Sequence, residues 1–274
     1  MAYLVRSEAG RASEITEGTQ GQHPGASFGQ PSPGGGGPPF LSSWPGVCVA
    51  VIPCLNEEAA IGSVVEGVRG YLPRVVVVDD GSTDKTAKAA RHAGATVLAQ
   101  SVSAGKGAAL QAGWSWAVAN GFDWALCLDG DGQHSPNDIP NFFATAERTS
   151  ASLVVGNRMQ NAARMPAVRR CVNRLMSWQL SLLAGQPLPD SQCGFRLMNL
   201  RHWAALAIAG CHFEIESEVL FQFARAGLKI EFVSIEVIYK QEQSKIHPWK
   251  DAVRWLKWRQ HARRVRSKVP EPGT

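Results

Sequence analysis

Four consecutive valines, residues 75 to 78, run directly into Asp79 and Asp80 and then into the turn-forming residues "GSTD". An unbroken apolar run suits a strand covered on both faces, whereas a strand with one wet face would alternate. The same pattern recurs: "VCVAVIP" (47–53) precedes "CLNEE", "WALCL" (124–128) precedes "DGDGQH", and "SLVVGNR" (152–158) ends in an arginine. Between these runs lie helical segments. Ile61, Val64, Val65 and Val68 form the apolar stripe of "NEEAAIGSVVEGVRGYL", with Asn56 as its cap and acids in the first turn. Ser135 and Pro136 open another helix, with Asp138 in the capping-box position. Alternating strands and helices with apolar strands predict an α/β fold, a mostly parallel sheet with helices on both faces. In such sheets ligands gather beyond the carboxyl ends of the strands, where "PCLNEE", "DDGSTD" and "DGDGQH" all fall.

The chain has 274 residues, enough for one sizeable domain of this kind. Residues 1–45 are dominated by Gly, Pro and polar residues without apolar periodicity, and are expected to be disordered. The folded domain is expected over 46–247. Within it, "MPAVRRCVNRLMSWQLSLLAG" (165–185) reads as an amphipathic helix, apolar at Val168, Val172, Leu175, Met176, Leu182 and Leu183 and polar at Arg169, Arg170 and Arg174. No run approaches the roughly 18 apolar residues of a membrane span, and the N-terminus lacks a secretory signal, so a cytoplasmic protein is expected. The six cysteines show no CxxC spacing, which argues against a thiolate zinc site or a disulfide framework.

Charge is concentrated at the C-terminus. Residues 249–268 hold eight Lys or Arg and one Asp, a local +7 against +5 for the whole chain, which leaves about −2 elsewhere. The segment 248–274 reads as a basic amphipathic helix with Trp249, Val253, Leu256 and Gln260 on one 3–4 spacing. Such a helix suits a peripheral contact on the cytoplasmic membrane face; the alternative is that its tryptophans pack on the domain. Nucleic acid is not expected as a partner.

The acidic clusters carry the chemistry. Asp129 and Asp131 stand two residues apart at a strand mouth, with Gly130 and Gly132 allowing a tight turn. Like charges this close call for a cation or a proton, and a hard divalent ion with oxygen ligands fits. The alternative is a solvated acidic turn. Asp80 could accept hydrogen bonds from a nucleobase or ribose, or simply shape a turn. Lys106, in "SAGKGAAL", is not part of a Walker A loop but could meet a phosphate or ribose. Arg158, and the Asp190 to Arg196 loop "DSQCGFR", could clamp a second anionic substrate or form internal salt bridges. Glu214, Glu216 and Glu218 either answer a helix dipole or line the site.

Taken in order, "VIPCLNEE", "VVVVDDGSTDKT", "GKGAAL", "LDGDGQHSP", "GNR" and "DSQCGFR" resemble a family 2 glycosyltransferase of the Rossmann-like GT-A fold. Within that family they are most similar to the polyprenyl-phosphate sugar transferases, the branch of dolichyl-phosphate mannose synthase. The resemblance implies that Glu57 and Asp80 contact the nucleoside of a nucleotide-sugar, with Pro53 and Asn56 shaping that pocket. It implies that Asp129 faces the sugar-nucleotide and metal, and that Asp131 and Gln133 ligate Mg²⁺ or Mn²⁺. Asp190 would lie near the transferred sugar, and Arg158 and Arg196 near the acceptor phosphate. Members of the branch often carry an arginine and then Gly-Ser-Lys after the last strand; here Lys240 and Gln243-Ser244-Lys245 stand there.

The implied reaction is metal-dependent, inverting transfer of a sugar from a GDP- or UDP-sugar to a polyprenyl- or dolichyl-phosphate-type lipid. A lipid phosphate is already an anion and needs no strong base; a saccharide hydroxyl, the alternative acceptor, would make Asp190 the candidate base. A non-catalytic nucleotide-sugar binding protein is the remaining alternative.

Overall fold

The computed structural model describes residues 43–160, 165–208, 210, 212 and 214–238, all within one unit, Pro38–Thr274. The expected tail helix at 248–274, Lys240 and Ser244-Lys245 lie outside the described residues. A seven-stranded sheet forms the centre. Its strands are β1 (Cys48–Cys54), β2 (Val75–Asp79), β3 (Thr96–Ala99), β4 (Trp124–Cys127), β5 (Leu153–Asn157), β6 (Arg196–Asn199) and β7 (Ile230–Ser234). They lie side by side in the order β3-β2-β1-β4-β6-β5-β7. The pairs β2–β3, β1–β2, β1–β4 and β5–β7 are parallel, while β6 runs antiparallel to both β4 and β5. The expected Rossmann-like, mostly parallel α/β architecture is therefore what the chain adopts. Strands β1, β2 and β5 are buried at every position, as their unbroken apolar runs required.

The helices are α1 (Trp44–Val47), α2 (Ile61–Arg69), α3 (Thr86–His92), α4 (Lys106–Ala119), α5 (Ile139–Thr149), α6 (Ala167–Ala184), α7 (Leu200–Ala204) and α8 (Ile215–Arg225). Helix α4 packs on β1 and β2, α5 on β5, β6 and β7, and α8 on β7, α6 and α7. The predicted stripe of α2 is buried in full. In α4, Gly113 lets the helix approach the sheet: a Cβ there would lie 2.4 Å from Val51 Cγ1 and 3.1 Å from Val78 Cγ2.

Three local expectations are corrected. Trp44 already belongs to the core, stacked on Phe143 at 4.6 Å and donating from Nε1 to Glu147 at 2.6 Å, so the fold begins before residue 46. Asn56 does not cap α2, which starts five residues later at Ile61. It sits instead in a left-handed turn (φ 54°), a conformation asparagine tolerates, and its side chain serves the neighbouring loop. Ser135 does cap, accepting from Asn137 N, but it opens a short 3₁₀ turn (Pro136–Asp138) ahead of α5, and Asp138 accepts from Glu236 N rather than closing a capping box. In α6 the apolar residues Val168, Val172, Leu175 and Leu182 are exposed, whereas Asn173, Ser177, Leu180 and Leu183 are buried. The reason is that the inner face of α6 meets a polar loop, residues 188–192, rather than the apolar sheet.

Candidate active site

The sheet order places the carboxyl ends of β2, β1 and β4 side by side, and with them the three acidic clusters. The loops after β1 and β2 are tied to each other. Asn56 Oδ1 accepts from Thr83 N at 2.9 Å, Asn56 N donates to Ser82 Oγ, and Glu57 N donates to Thr86 Oγ1 at 2.7 Å. Pro53, buried in β1, pairs in register with Val78. These contacts build one rigid lip from "PCLNEE" and "DDGSTD".

Asp80 is buried, and both carboxylate oxygens are taken by the turn that starts α4. Oδ1 accepts from Ala104 N (2.8 Å); Oδ2 accepts from Ser103 Oγ (2.6 Å) and Gly105 N (3.0 Å). It thereby positions the next residue, Lys106. The Lys106 Nζ sits between two carboxylates, 2.6 Å from Asp129 and 2.8 Å from Glu216. Burial opposes the ammonium charge, but the two anions outweigh it and raise its pKa above the usual lysine range. Burial likewise opposes ionisation of Asp129, and Lys106, with His134 behind it, outweighs that and holds the carboxyl well below its usual range. His134 Nε2 lies 3.5 Å from Asp129 Oδ2. Its Nδ1 and the Glu216 Oε2 are buried with no hydrogen-bond partner. Gly194 closes this corner, since a Cβ on it would sit 2.8 Å from Asp129 Oδ2.

Asp131 behaves in the opposite way. Burial, and then the charge of Asp129, raise its pKa, although Oδ1 accepts from Gln133 N at 2.9 Å. The loop is pinned from outside by an antiparallel bridge of His134 to Val237 and by Ile238 N donating to Gln133 O. The donor set is two carboxylates and an amide, of which Asp129 already meets Lys106 and His134. Among the described residues, no three His, Cys, Asp or Glu side chains gather to hold a metal alone. That arrangement fits a hard cation that takes Asp131 and Gln133 from the protein and its remaining oxygens from substrate phosphates and water.

The second expected cluster turns inward. Asp190 has no exposed surface and accepts five hydrogen bonds: from Arg158 N, Nε and Nη2, from Asn173 Nδ2 and from Gln192 N. Burial opposes its charge, but the Arg158 guanidinium more than compensates and lowers its pKa. Arg196 donates to the carbonyls of Cys193 (2.7 Å), Glu216 (2.7 Å) and Ser191 (3.0 Å) and is buried. The structure therefore joins Lys106, Asp129, Asp131 and Gln133 at one strand mouth and makes Asp190, Arg158 and Arg196 the frame of the adjoining wall. Sequence reasoning left Glu216 undecided and did not foresee the roles of Ser103 and Asn173. The Glu216 carboxylate meets Lys106 from 110 positions away, and neither Ser103 nor Asn173 carries a motif.

The Glycosyl transferase family 2 pattern matches residues 49–200. An uncharacterized protein of Methanocaldococcus jannaschii is 32% identical over 70% of this chain and 81% of its own. A UDP-N-acetylglucosamine–dolichyl-phosphate N-acetylglucosaminyltransferase of Methanococcus voltae is 28% identical over 70% of this chain and 85% of its own. Among solved structures, glucosyl-3-phosphoglycerate synthase from Mycobacterium tuberculosis with UDP superposes with a TM-score of 0.64 at 24% identity, over 88% of each chain. The same enzyme with Mn²⁺, UDP-glucose and phosphoglyceric acid gives 0.62 at 23%, over 88% of this chain and 87% of the other. The expected Mg²⁺ or Mn²⁺ agrees with these complexes, and the GT-A architecture with their fold.

The lipid-phosphate expectation is corrected. The acceptor in the matching structures is phosphoglyceric acid, a small phosphate, rather than a polyprenyl phosphate. Arg158 and Arg196, taken as a clamp for a lipid phosphate, have their donors engaged inside the protein. No described helix is long and apolar enough to cross a membrane, and residues 248–274 lie outside the described residues. The non-catalytic alternative also falls. The chain is a glycosyltransferase and belongs to glycosyl transferase family 2.

Proposed function

We propose that the enzyme transfers a hexose from a uridine-diphosphate sugar to a small phosphorylated hydroxy acid of the phosphoglycerate type, with Mn²⁺ or Mg²⁺. One observation carries the donor half: Asp129 and Asp131 stand at the β4 mouth, with Lys106 held against Asp129. The acceptor half is supported by the solved complexes with phosphoglyceric acid, which share the fold. Asp131 and Gln133 hold the cation, which when bound stabilises charge on the departing diphosphate. Lys106 supplies a fixed positive charge at the same place, and Asp129 orients the donor sugar. Pro53, Asn56 and Glu57 shape the nucleoside lip, while Asp80 acts on it through the 103–105 turn. Asp190 anchors the acceptor wall and does not take the hydroxyl proton, because its oxygens are occupied and its acidity is raised.

The test is turnover of radiolabelled UDP-glucose with Mn²⁺ and 3-phosphoglycerate. The expected product is a labelled glucoside carrying both a carboxylate and a phosphate, whose formation stops in EDTA. Asp131→Asn should lower kcat by about 100-fold or more while leaving the melting temperature near that of the parent. Donor consumption that never depends on a phosphorylated hydroxy acid would overturn the acceptor assignment.

A further inference from the structure

After β7 the chain leaves the sheet and crosses to the loop that follows β4. Ile235 is still tied to the sheet, buried and donating its N–H to Asn157 O at 3.4 Å. Residues 236–238 then form a strap along the loop. Val237 pairs with His134 in an antiparallel bridge, and Ile238 N donates to Gln133 O at 2.9 Å. One carboxylate grips the strap at its root, since Asp138 Oδ2 accepts from Glu236 N at 3.1 Å. Asp138 stands on a fixed base. It closes the 3₁₀ turn Pro136–Asp138, in which Pro136 lies over Gly67 of α2 and Asn137 Oδ1 accepts from the Tyr71 hydroxyl at 3.1 Å.

We propose that Asp138 is a positioning residue for the divalent cation: by holding the strap at Glu236 it fixes the backbone of Gln133, and with it the amide offered to the metal. The inference rests on the reading of Asp131 and Gln133 as the cation's protein ligands. Both backbone polar groups of Gln133 are engaged. Its N donates to Asp131 Oδ1 at 2.9 Å, which joins the two ligands to each other, and its carbonyl accepts from the strap, which ties the pair to the rest of the fold. The loop itself contributes little stiffness, because Gly130 and Gly132 flank Asp131. Its geometry is therefore borrowed from the strap, and the strap's from Asp138. Groups that orient a metal's ligands are worth about 10–100-fold in metal affinity. The grip on Glu236 N needs an oxygen acceptor, which asparagine keeps and alanine lacks.

Calorimetry of Mn²⁺ binding to the full chain saturated with UDP tests this. Asp138→Ala should weaken Mn²⁺ by about tenfold or more with its far-UV spectrum retained, whereas Asp138→Asn should stay within about threefold of the parent. Ile238→Pro removes the N–H that meets Gln133 O without touching Asp138, and should reproduce the loss. Combining it with Asp138→Ala should add little, because both changes act through one strap. Unchanged Mn²⁺ affinity in Asp138→Ala overturns the proposal, and so does a loss in Asp138→Asn as large as in Asp138→Ala. Additive losses in the double variant also overturn it. If Asp138→Ala does not fold, Ile238→Pro decides: weakened Mn²⁺ supports the strap and full affinity removes it. A parent chain that takes up no Mn²⁺ in the presence of UDP would instead strike the assignment of Asp131 and Gln133, and this inference with it.

Discussion

At the residue scale, Asp190 illustrates how a motif can be found while its partner stays hidden. The loop "DSQCGFR" marks the aspartate, and the two arginines were noted with it, but nothing local reveals that Arg158, 32 positions earlier, closes on it bidentately. A salt bridge across that distance has no sequence period, so only the fold displays it. Asp190→Ala would leave the guanidinium buried and unpaired, and should cost about 3–5 kcal/mol. The change should appear as a fall in Tm on the order of 10 °C. Because the folded-state pKa of Asp190 is depressed, its stabilisation is fully present above the ordinary carboxylate pKa of about 3.9 and drains away as pH falls through the lower folded value. Melts from neutral pH toward pH 3 should therefore show parent and Asp190→Ala converging as acid is added; a constant gap would count against the pairing. The Lys106–Glu216 contact was equally hidden, spanning more than a hundred positions.

At the element scale, periodicity told which segments were helices far better than it told what they face. The stripe of α2 was read correctly because it meets the apolar sheet. The sequence marks apolar positions in α6 as well, but amphipathicity does not say which face is buried, and Val168, Val172, Leu175 and Leu182 are exposed. Helix α4 offers a sharper contrast between local preference and packing. Alanine is a better helix former than glycine by about 1 kcal/mol. Yet a Cβ at Gly113 would meet Val51 at 2.4 Å, and forcing a methyl into such a core costs about 1–3 kcal/mol. Gly113→Ala should therefore destabilise the protein in urea titration by roughly 1 kcal/mol, the sterics outweighing the propensity. A gain in midpoint would show that α4 can withdraw from the sheet without loss.

At the scale of the whole molecule, the α/β class and the meeting of the acidic clusters at one sheet edge could be read from the sequence, because buried parallel strands and their polar ends are both written as contiguous segments. The buried frame beside them could not, since it is assembled from residues scattered between β5 and α8. Lys106 bridges Asp129 and Glu216 and offsets part of their charge within the chain itself. Stripping metal with EDTA should thus abolish turnover and leave Tm almost unchanged, while Mn²⁺ plus UDP should raise Tm by mass action. Asp131 titrates above its usual range, so Mn²⁺ affinity, followed by calorimetry, should weaken on acidification sooner than for an ordinary carboxylate. The reversed strand β6 has one more effect. Since it enters the sheet from the opposite end, its first residue, Arg196, lies beside the last residue of β4, Cys127, at the rim where the carboxylates are. Its antiparallel entry, reached through α6, thus brings a second stretch of chain to the same rim. Asp190 and Gly194, on the segment that leads into β6, thereby reach Arg158 and Asp129 from the side opposite the parallel strands.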